Sequence, residues 1–384
     1  MSDAIETPFH KYFVGAIEGE PVVFAWNGFT VADAITTTQE EMLASRNGVS
    51  VLDISPMNKY RISGPGAGAA LDYMMSRKVS DMKDNTVRYV GWCAESGATI
   101  GDATLFRFSA TEYMIKGGLD QTEHVNRSVV DGRDAAYTRA TEELAGLSVQ
   151  GPRSYALLVA AGARNLENLR AFTFTDDALG GEPLYISRTN YIGDLGYEIF
   201  CKPEQADAVW QALQATSVAV TPAGYDAIDL LRAQCGFVDP SADCAPAGSG
   251  NPEFERTPAE LGLGWLAELD REDDFIGKAA LLQEKEQGQR WQFVSVELED
   301  TSDTGIYSLS GVQLYAEDGT DIGMISTGGF DYYLGKNVGI GTVRTGHGAV
   351  GSPVLVGDDK QRAHFVKTPI FSTERRTQTP PSLA

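Results

Sequence analysis

Residues 59–75, "KYRISGPGAGAALDYMM", and residues 146–162, "GLSVQGPRSYALLVAAG", follow one plan: a short alternating strand, a Gly-Pro pair, then an apolar helix. Pro65 and Pro152 stand where helix entry tolerates a missing N–H, so each pair reads as a strand-to-helix switch. The pairs begin at residues 64 and 151, 87 residues apart. That spacing suggests two related α+β halves.

The neighbouring segments fit such halves. "TIGDATLFRFSATEYMIKGG" (99–118) reads as two strands joined by a polar turn at Ser109 to Glu112. In "PEQADAVWQALQAT" (203–216), Ala206, Val209, Trp210 and Leu213 recur at helical spacing behind Pro203. A further helix is expected in "PAGYDAIDLLRAQCG" (222–236), closed by Gly236. After about residue 288 the pattern changes to short β-rich runs separated by Gly and Asp turns, which predicts a small all-β barrel or sandwich. The expected division is therefore residues 1–287 as one unit of two α+β halves, residues 288–372 as a β-barrel, and residues 373–384 as a loose polar tail.

The 384 residues carry 53 acidic against 31 basic side chains, a net charge of −22. Nucleic acid and anionic membranes are poor partners for that surface, and an anionic ligand needs a local basic pocket. The first residues show no basic stretch followed by an apolar one, and no uncharged run reaches membrane-spanning length, so a soluble cytoplasmic protein is expected. Cys93, Cys201, Cys235 and Cys244 are scattered without a C-x-x-C pair, and the four histidines lack metal-ligand spacing. Reduced, buried thiols and no metal site follow. Serine-histidine-carboxylate order, a Walker-type loop and a dinucleotide fingerprint are all missing, and "GPGAGAA" (64–70) is better explained as a helix-entry turn than as a phosphate loop.

What remains is a set of polar residues on apolar elements: Asp102 in "TIGDATLFRF", Glu198 in "GYEIF" and Arg232 in "DAIDLLRAQCG". In residues 188–200, "RTNYIGDLGYEIF", the strand alternation puts Glu198 on the face opposite Tyr197 and Ile199. Either Glu198 meets water, or something inside needs a carboxylate.

"RTNYIGDLGYEIF" resembles the R-T-G-Y-T-G-E-x-G-[FY]-E-I segment of the glycine-cleavage aminomethyltransferase (T-protein) family, and "TPAELGLGWLAELDREDDFIGKAAL" (257–281) is similar to its T-P-x-E-A-G-L-G-W…K-x-D-F-I-G-K-x-A-L segment. "VLDISPMNKYRISGPGA" (51–67), "SGATIGDATLFRF" (96–108) and "AIDLLRAQCG" (227–236) match further segments in the same order. The resemblance implies two related ferredoxin-like α+β halves forming a folate-binding domain, plus a C-terminal β-barrel, with tetrahydrofolate in a central channel. Glu198 matches the pterin-binding glutamate, and a carboxylate suits the side-by-side N–H and amino group of that ring. Asp102 matches the catalytic aspartate, an anion that favours positive charge developing on the folate nitrogen. Tyr191, Met57, Tyr89 and Trp265 fall on ligand-channel positions, and Arg232 matches an arginine expected to meet the folate's glutamate carboxylates.

The chain departs from the glycine-cleavage pattern at Gly101 (where Asp-Asp is usual), Pro56, Gln234 and a longer loop at 236–260. "TIGD" and "DIGMISTGGFDYYLGKNVGIGTV" resemble the demethylase branch, and the K-G-C-Y-x-G-Q-E segment of the iron–sulfur assembly relatives is missing. The expected function is a tetrahydrofolate-dependent methyltransferase or demethylase. Its donor would be a small methylated compound: a methoxy-aromatic acid, dimethylsulfoniopropionate or an N-methyl compound. The alternatives are the aminomethyltransferase that works on a lipoyl-bound group of H-protein, and a folate-binding regulatory protein without turnover.

Overall fold

A computed structural model describes residues 4–130, 132–378 and 380. Strands β1 (Val23–Trp26) and β2 (Phe29–Ala32) form a hairpin ahead of α1 (Thr38–Asn47) and β3 (Ser50–Asp53). The first half then runs β4 (Asn58–Ser63), α2 (Ala67–Met74), β5 (Thr86–Cys93), β6 (Thr99–Ser109), β7 (Glu112–Gly117), α3 (Thr122–Val130) and β8 (Ala136–Arg139). The second runs β9 (Ala145–Gln150), α4 (Ser154–Ala160), β10 (Phe174–Leu179), β11 (Glu182–Ser187), β12 (Gly196–Cys201), α5 (Ala206–Gln214) and β13 (Thr221–Ala223). Helices α6 (Tyr225–Gln234) and α7 (Lys278–Gln287) lead to strands β14 (Trp291–Leu298), β15 (Gln313–Tyr315), β16 (Asp321–Asp331), β17 (Lys336–Arg344), β18 (Pro353–Val356) and β19 (Gln361–Val366).

The duplication read from the Gly-Pro pairs is visible in the sheets. One sheet has the order β5-β6-β7-β4-β8 and the other β10-β11-β12-β9-β3-β13, the same order with β3 inserted. Each switch also repeats in its backbone. Gly64 and Gly151 take φ of +120° and +121°, the left-handed region that a glycine reaches at no cost. A Cβ on Gly64 would lie 2.7 Å from the Asp134 carbonyl oxygen, and one on Gly151 2.6 Å from that of Gly48. The helices begin two residues beyond each proline, at Ala67 and Ser154, not at the proline itself. The Ala67 and Ser154 N–H groups bond back to the Gly64 and Gly151 carbonyls, so a tight turn precedes the helix.

Each sheet buries one face under its own helices. Leu147, Val149, Tyr197 and Ile199 pack with Leu157 of α4 and Val209, Trp210 and Leu213 of α5. Tyr60, Ile62, Leu105, Tyr113 and Ile115 pack with Leu71 and Met74 of α2 and Val125 of α3. The opposite faces meet in a third core containing Phe106, Met114, Phe174, Phe200 and, from α6, Ala227, Ile228 and Leu231. Beyond α7, the six strands close as β14-β17-β16-β15-β18-β19. This is the α+β pair with a C-terminal barrel expected from the sequence. Of the stretch expected as a loose tail, residues 374–376 form a 3-10 turn and Arg375 pairs with Asp194; residues 379 and 381–384 lie outside the described residues.

Candidate functional site

Glu198 lies on β12, where alternation sends it away from the helix-covered face and into the seam between the halves. It is 7% exposed, and its Oε2 has no hydrogen-bond partner. Burial raises its pKa, while the Thr189 hydroxyl, Lys116 and the Ser187 hydroxyl act in the opposite direction. A buried carboxylate oxygen left without a partner is costly, and a ligand offering N–H donors would satisfy it. The group implied by the resemblance, a reduced pterin with adjacent N–H and amino groups, fits that requirement.

Asp102 lies on β6 opposite Gly91 of β5, and Tyr89 is the diagonal neighbour on the same face. The Tyr89 hydroxyl donates to Asp102 Oδ2. Burial pushes the Asp102 carboxyl up to about 7; the Tyr89 hydrogen bond opposes this, Asp239 adds to it, and Arg232 opposes it. Trp265, 58% exposed, is carried beside Tyr89 by a 3-10 turn at Gly264–Leu266, with ring centroids 6.0 Å apart. That turn is fixed by Ser76, whose hydroxyl donates to the Leu266 carbonyl at 3.0 Å. Tyr191, 37% exposed, stands 6.5 Å from Phe237. Asp239 acts electrostatically on Asp102, Tyr89 and Tyr191 alike, so these three residues, distant in sequence, share one neighbourhood. Met57 follows a turn pinned from below by fully buried Lys59, whose ammonium donates to the Ser55 and Met57 carbonyls at 2.8 and 2.9 Å.

Arg232, expected to meet a folate carboxylate, has its guanidinium committed to protein partners. It is fully buried, and Nε donates to Asp229, Nη1 to Asp243 and the Phe237 carbonyl, and Nη2 to Thr327 of β16. With its charge matched by two carboxylates, it ties α6 to the 236–260 loop and to the barrel. The sequence showed an arginine on an apolar helix but not which acids would close on it.

Two of the departures have structural causes. The Gln234 amide accepts from Arg46 Nε at 3.0 Å and Nη2 at 2.6 Å while donating to Asp331. A glutamate there would set a carboxylate against a carboxylate. A Cβ on Gly101 would lie 3.2 Å from the Trp92 ring, so that ring occupies the space of a side chain. Asp239, supplied by the long loop, and Lys116, buried opposite Glu198, were not singled out from sequence. Lys116 did carry a signal, because it alternates onto the inner face of β7 with Met114, two residues before it in the strand.

The family model for the GCVT N-terminal domain matches residues 16–271. The chain belongs to that family. A trimethylamine-oxide aldolase from Ruegeria pomeroyi is 32% identical over 317 residues, which is 78% of this chain and 38% of that protein; this chain thus matches well under half of that relative. An aminomethyltransferase from Halothermothrix orenii is 32% identical over 279 residues, covering 71% of this chain and 75% of the relative. The structure of glycine cleavage system aminomethyltransferase T from Bartonella henselae superposes with a TM-score of 0.84 at 21% identity, over 96% of this chain and 98% of that one, a likeness of fold. Aminomethyltransferases of the family use tetrahydrofolate as a substrate or cofactor. Among the described residues, no helix is long and apolar enough to cross a membrane, and Cys93, Cys201, Cys235 and Cys244 are free and buried.

Proposed function

We propose that this protein is a tetrahydrofolate-dependent methyltransferase, a demethylase of a small methylated donor that yields 5-methyltetrahydrofolate. The observations carrying this reading are a buried carboxylate at Glu198 whose Oε2 has no partner and a second carboxylate, Asp102, held by Tyr89. Bound tetrahydrofolate supplies the nucleophilic nitrogen. Glu198 accepts from the ring's N–H and amino group, which fixes the ring's orientation. Asp102, kept in place by the Tyr89 hydroxyl, favours the positive charge that builds as the carbon is transferred. Trp265, Tyr191 and Met57 provide apolar and aromatic surface that excludes water from the channel.

Among the donor classes, N- or S-methylated compounds suit the site best. Asp102 and Asp239 set two carboxylates in it, and the nearby Arg232 is already matched by Asp229 and Asp243. A methoxy-aromatic acid would bring a third negative charge. The test is incubation of the protein and tetrahydrofolate with a panel of N-, S- and O-methylated donors, reading methyl-folate by mass spectrometry. Formation with at least one donor, lost in Asp102→Asn, is expected; no product from any donor refutes the reading.

The aminomethyltransferase reading is supported by relatives that carry that name and by a match over most of their length. Ammonia release and methylene-folate formation with aminomethylated H-protein, without methyl-folate from the donor panel, would establish it instead.

A further inference from the structure

The side-chain amine of Lys116 is fully buried and has no hydrogen-bond partner. Its Nζ lies 3.0 Å from the Phe200 ring centroid, 3.5 Å from that of Phe106 and 4.4 Å from that of Tyr185. Three aromatic faces surround it but accept no conventional hydrogen bond from it, and burial pushes its pKa well below the usual lysine value while Glu198 opposes that shift. Phe200 is two residues beyond Glu198 on β12, so both project from the same face of that strand. Lys116 and Glu198 influence each other's ionisation, yet no ion pair within 4.0 Å joins them, and Glu198 Oε2 is itself without a partner.

A buried donor and a buried acceptor in one seam, close enough to interact and too far apart to bond, call for a third group that answers both. The edge of a tetrahydropterin presents a carbonyl, a ring N–H and an amino group in sequence. A carboxylate serves the two donors and leaves the carbonyl needing an N–H. Lys116 is the unpartnered buried amine that shares this face with Glu198 among the described residues. We propose that Lys116 donates to the ring carbonyl of tetrahydrofolate while Glu198 accepts from the adjoining N–H and amino group. This rests on the reading of Glu198 as the ring-binding carboxylate. It makes Lys116 a ligand-binding residue that selects a carbonyl at that ring position, and the aromatic box holds its amine in line.

The test uses the full chain and measures equilibrium binding of tetrahydrofolate and of its 4-amino counterpart to wild type, Lys116→Met and Glu198→Gln. Lys116→Met should weaken tetrahydrofolate about 5- to 100-fold, the loss expected for one buried hydrogen bond from an amine donor, and leave the 4-amino ligand unchanged. The wild-type preference for the carbonyl ring then shrinks by the same factor. Equal weakening of both ligands, or of neither, overturns the proposal, because a purely structural lysine cannot tell the two rings apart. If Glu198→Gln binds tetrahydrofolate as wild type does, the reading of Glu198 fails; if it binds weakly while Lys116→Met binds normally, only the proposal for Lys116 fails. Should Lys116→Met not fold, infrared spectra of wild type with carbonyl-labelled tetrahydrofolate decide the matter. A carbonyl band below its position in water is expected, and a band at or above that position overturns the proposal.

Discussion

Removing the Tyr89 hydroxyl should move the pH dependence of methyl transfer upward. Asp102 acts as an anion in the proposed reaction, so kcat/KM should rise with pH as its carboxyl ionises, with a midpoint near 7 in the wild type. Burial is the main cause of that high value, and the Tyr89 hydrogen bond to the carboxylate is the largest influence opposing it. A hydrogen bond to a charged group is worth about 1.5–3 kcal/mol, and each pH unit corresponds to about 1.36 kcal/mol, so Tyr89→Phe should shift the midpoint to about 8–9. At pH 7 the ionised fraction then falls from about one half to about 1–10%, a loss of about 5- to 50-fold in kcat/KM that is largely regained above pH 9. Asp239→Asn should move the midpoint the other way, because Asp239 raises it. The assay is kcat/KM for methyl-folate formation from pH 5.5 to 9.5 with a saturating co-substrate. Shifts in the same direction for the two variants, or a surviving limb in Asp102→Asn, would refute the electrostatic account of Asp102.

Three further outcomes follow from the same geometry. The folded-state pKa of Asp102 is raised from 3.8 to about 7, so its stabilising contribution is complete below 3.8 and lost as pH rises to about 7. Asp102→Asn should therefore gain stability over the wild type across that window, by at most about 4 kcal/mol, read as urea midpoints at pH 5 and pH 8. Glu198→Gln should weaken tetrahydrofolate by about 10- to 100-fold in calorimetric titrations at pH 7, because a carboxylate that accepts two N–H groups becomes an amide that accepts one. Arg232→Met should destabilise the fold by about 3–5 kcal/mol in urea denaturation, since it leaves Asp229 and Asp243 without their cation; a loss of folate affinity at unchanged stability would show instead that the guanidinium reaches the ligand.

The parts of this molecule that were legible in its sequence are those encoded locally. Strand alternation at 196–201 and a Gly-Pro turn repeated at the same spacing need no knowledge of distant partners, and both correspond to buried faces and a duplicated sheet order. The protein partners of Arg232 were not legible, because they are Asp243, eleven residues away, and Thr327 in the barrel, and no periodicity reports either contact. Lys116 was passed over for a different reason. It alternates with Tyr113 and Ile115 just as Glu198 alternates with Tyr197 and Ile199, so the rule that flagged one charge on an inward face applied equally to the other. A lysine on a strand is usually solvated, and the second sheet that buries this one comes from the other half of the chain.

The duplicated register shows where the two halves differ at the seam. Arg61 pairs with Met114 across β4 and β7, and Ser148, 87 residues beyond Arg61, pairs with Glu198 across β9 and β12. Lys59 pairs with Lys116, and its counterpart Gly146 pairs with Phe200. Glu198 is thus the structural counterpart of Met114, and Lys116 that of Phe200, the very ring against which its ammonium rests. Each half supplies an apolar residue where the other supplies a charge. Had the halves stayed alike, the seam would hold two carboxylates or two ammonium groups facing each other, and like charges in so dry a place would force one of each pair to neutralise. Difference at these two register positions leaves one carboxylic group and one amine within mutual influence but unbonded, the arrangement that the proposed binding of a flat, polar-edged ring in a single orientation requires.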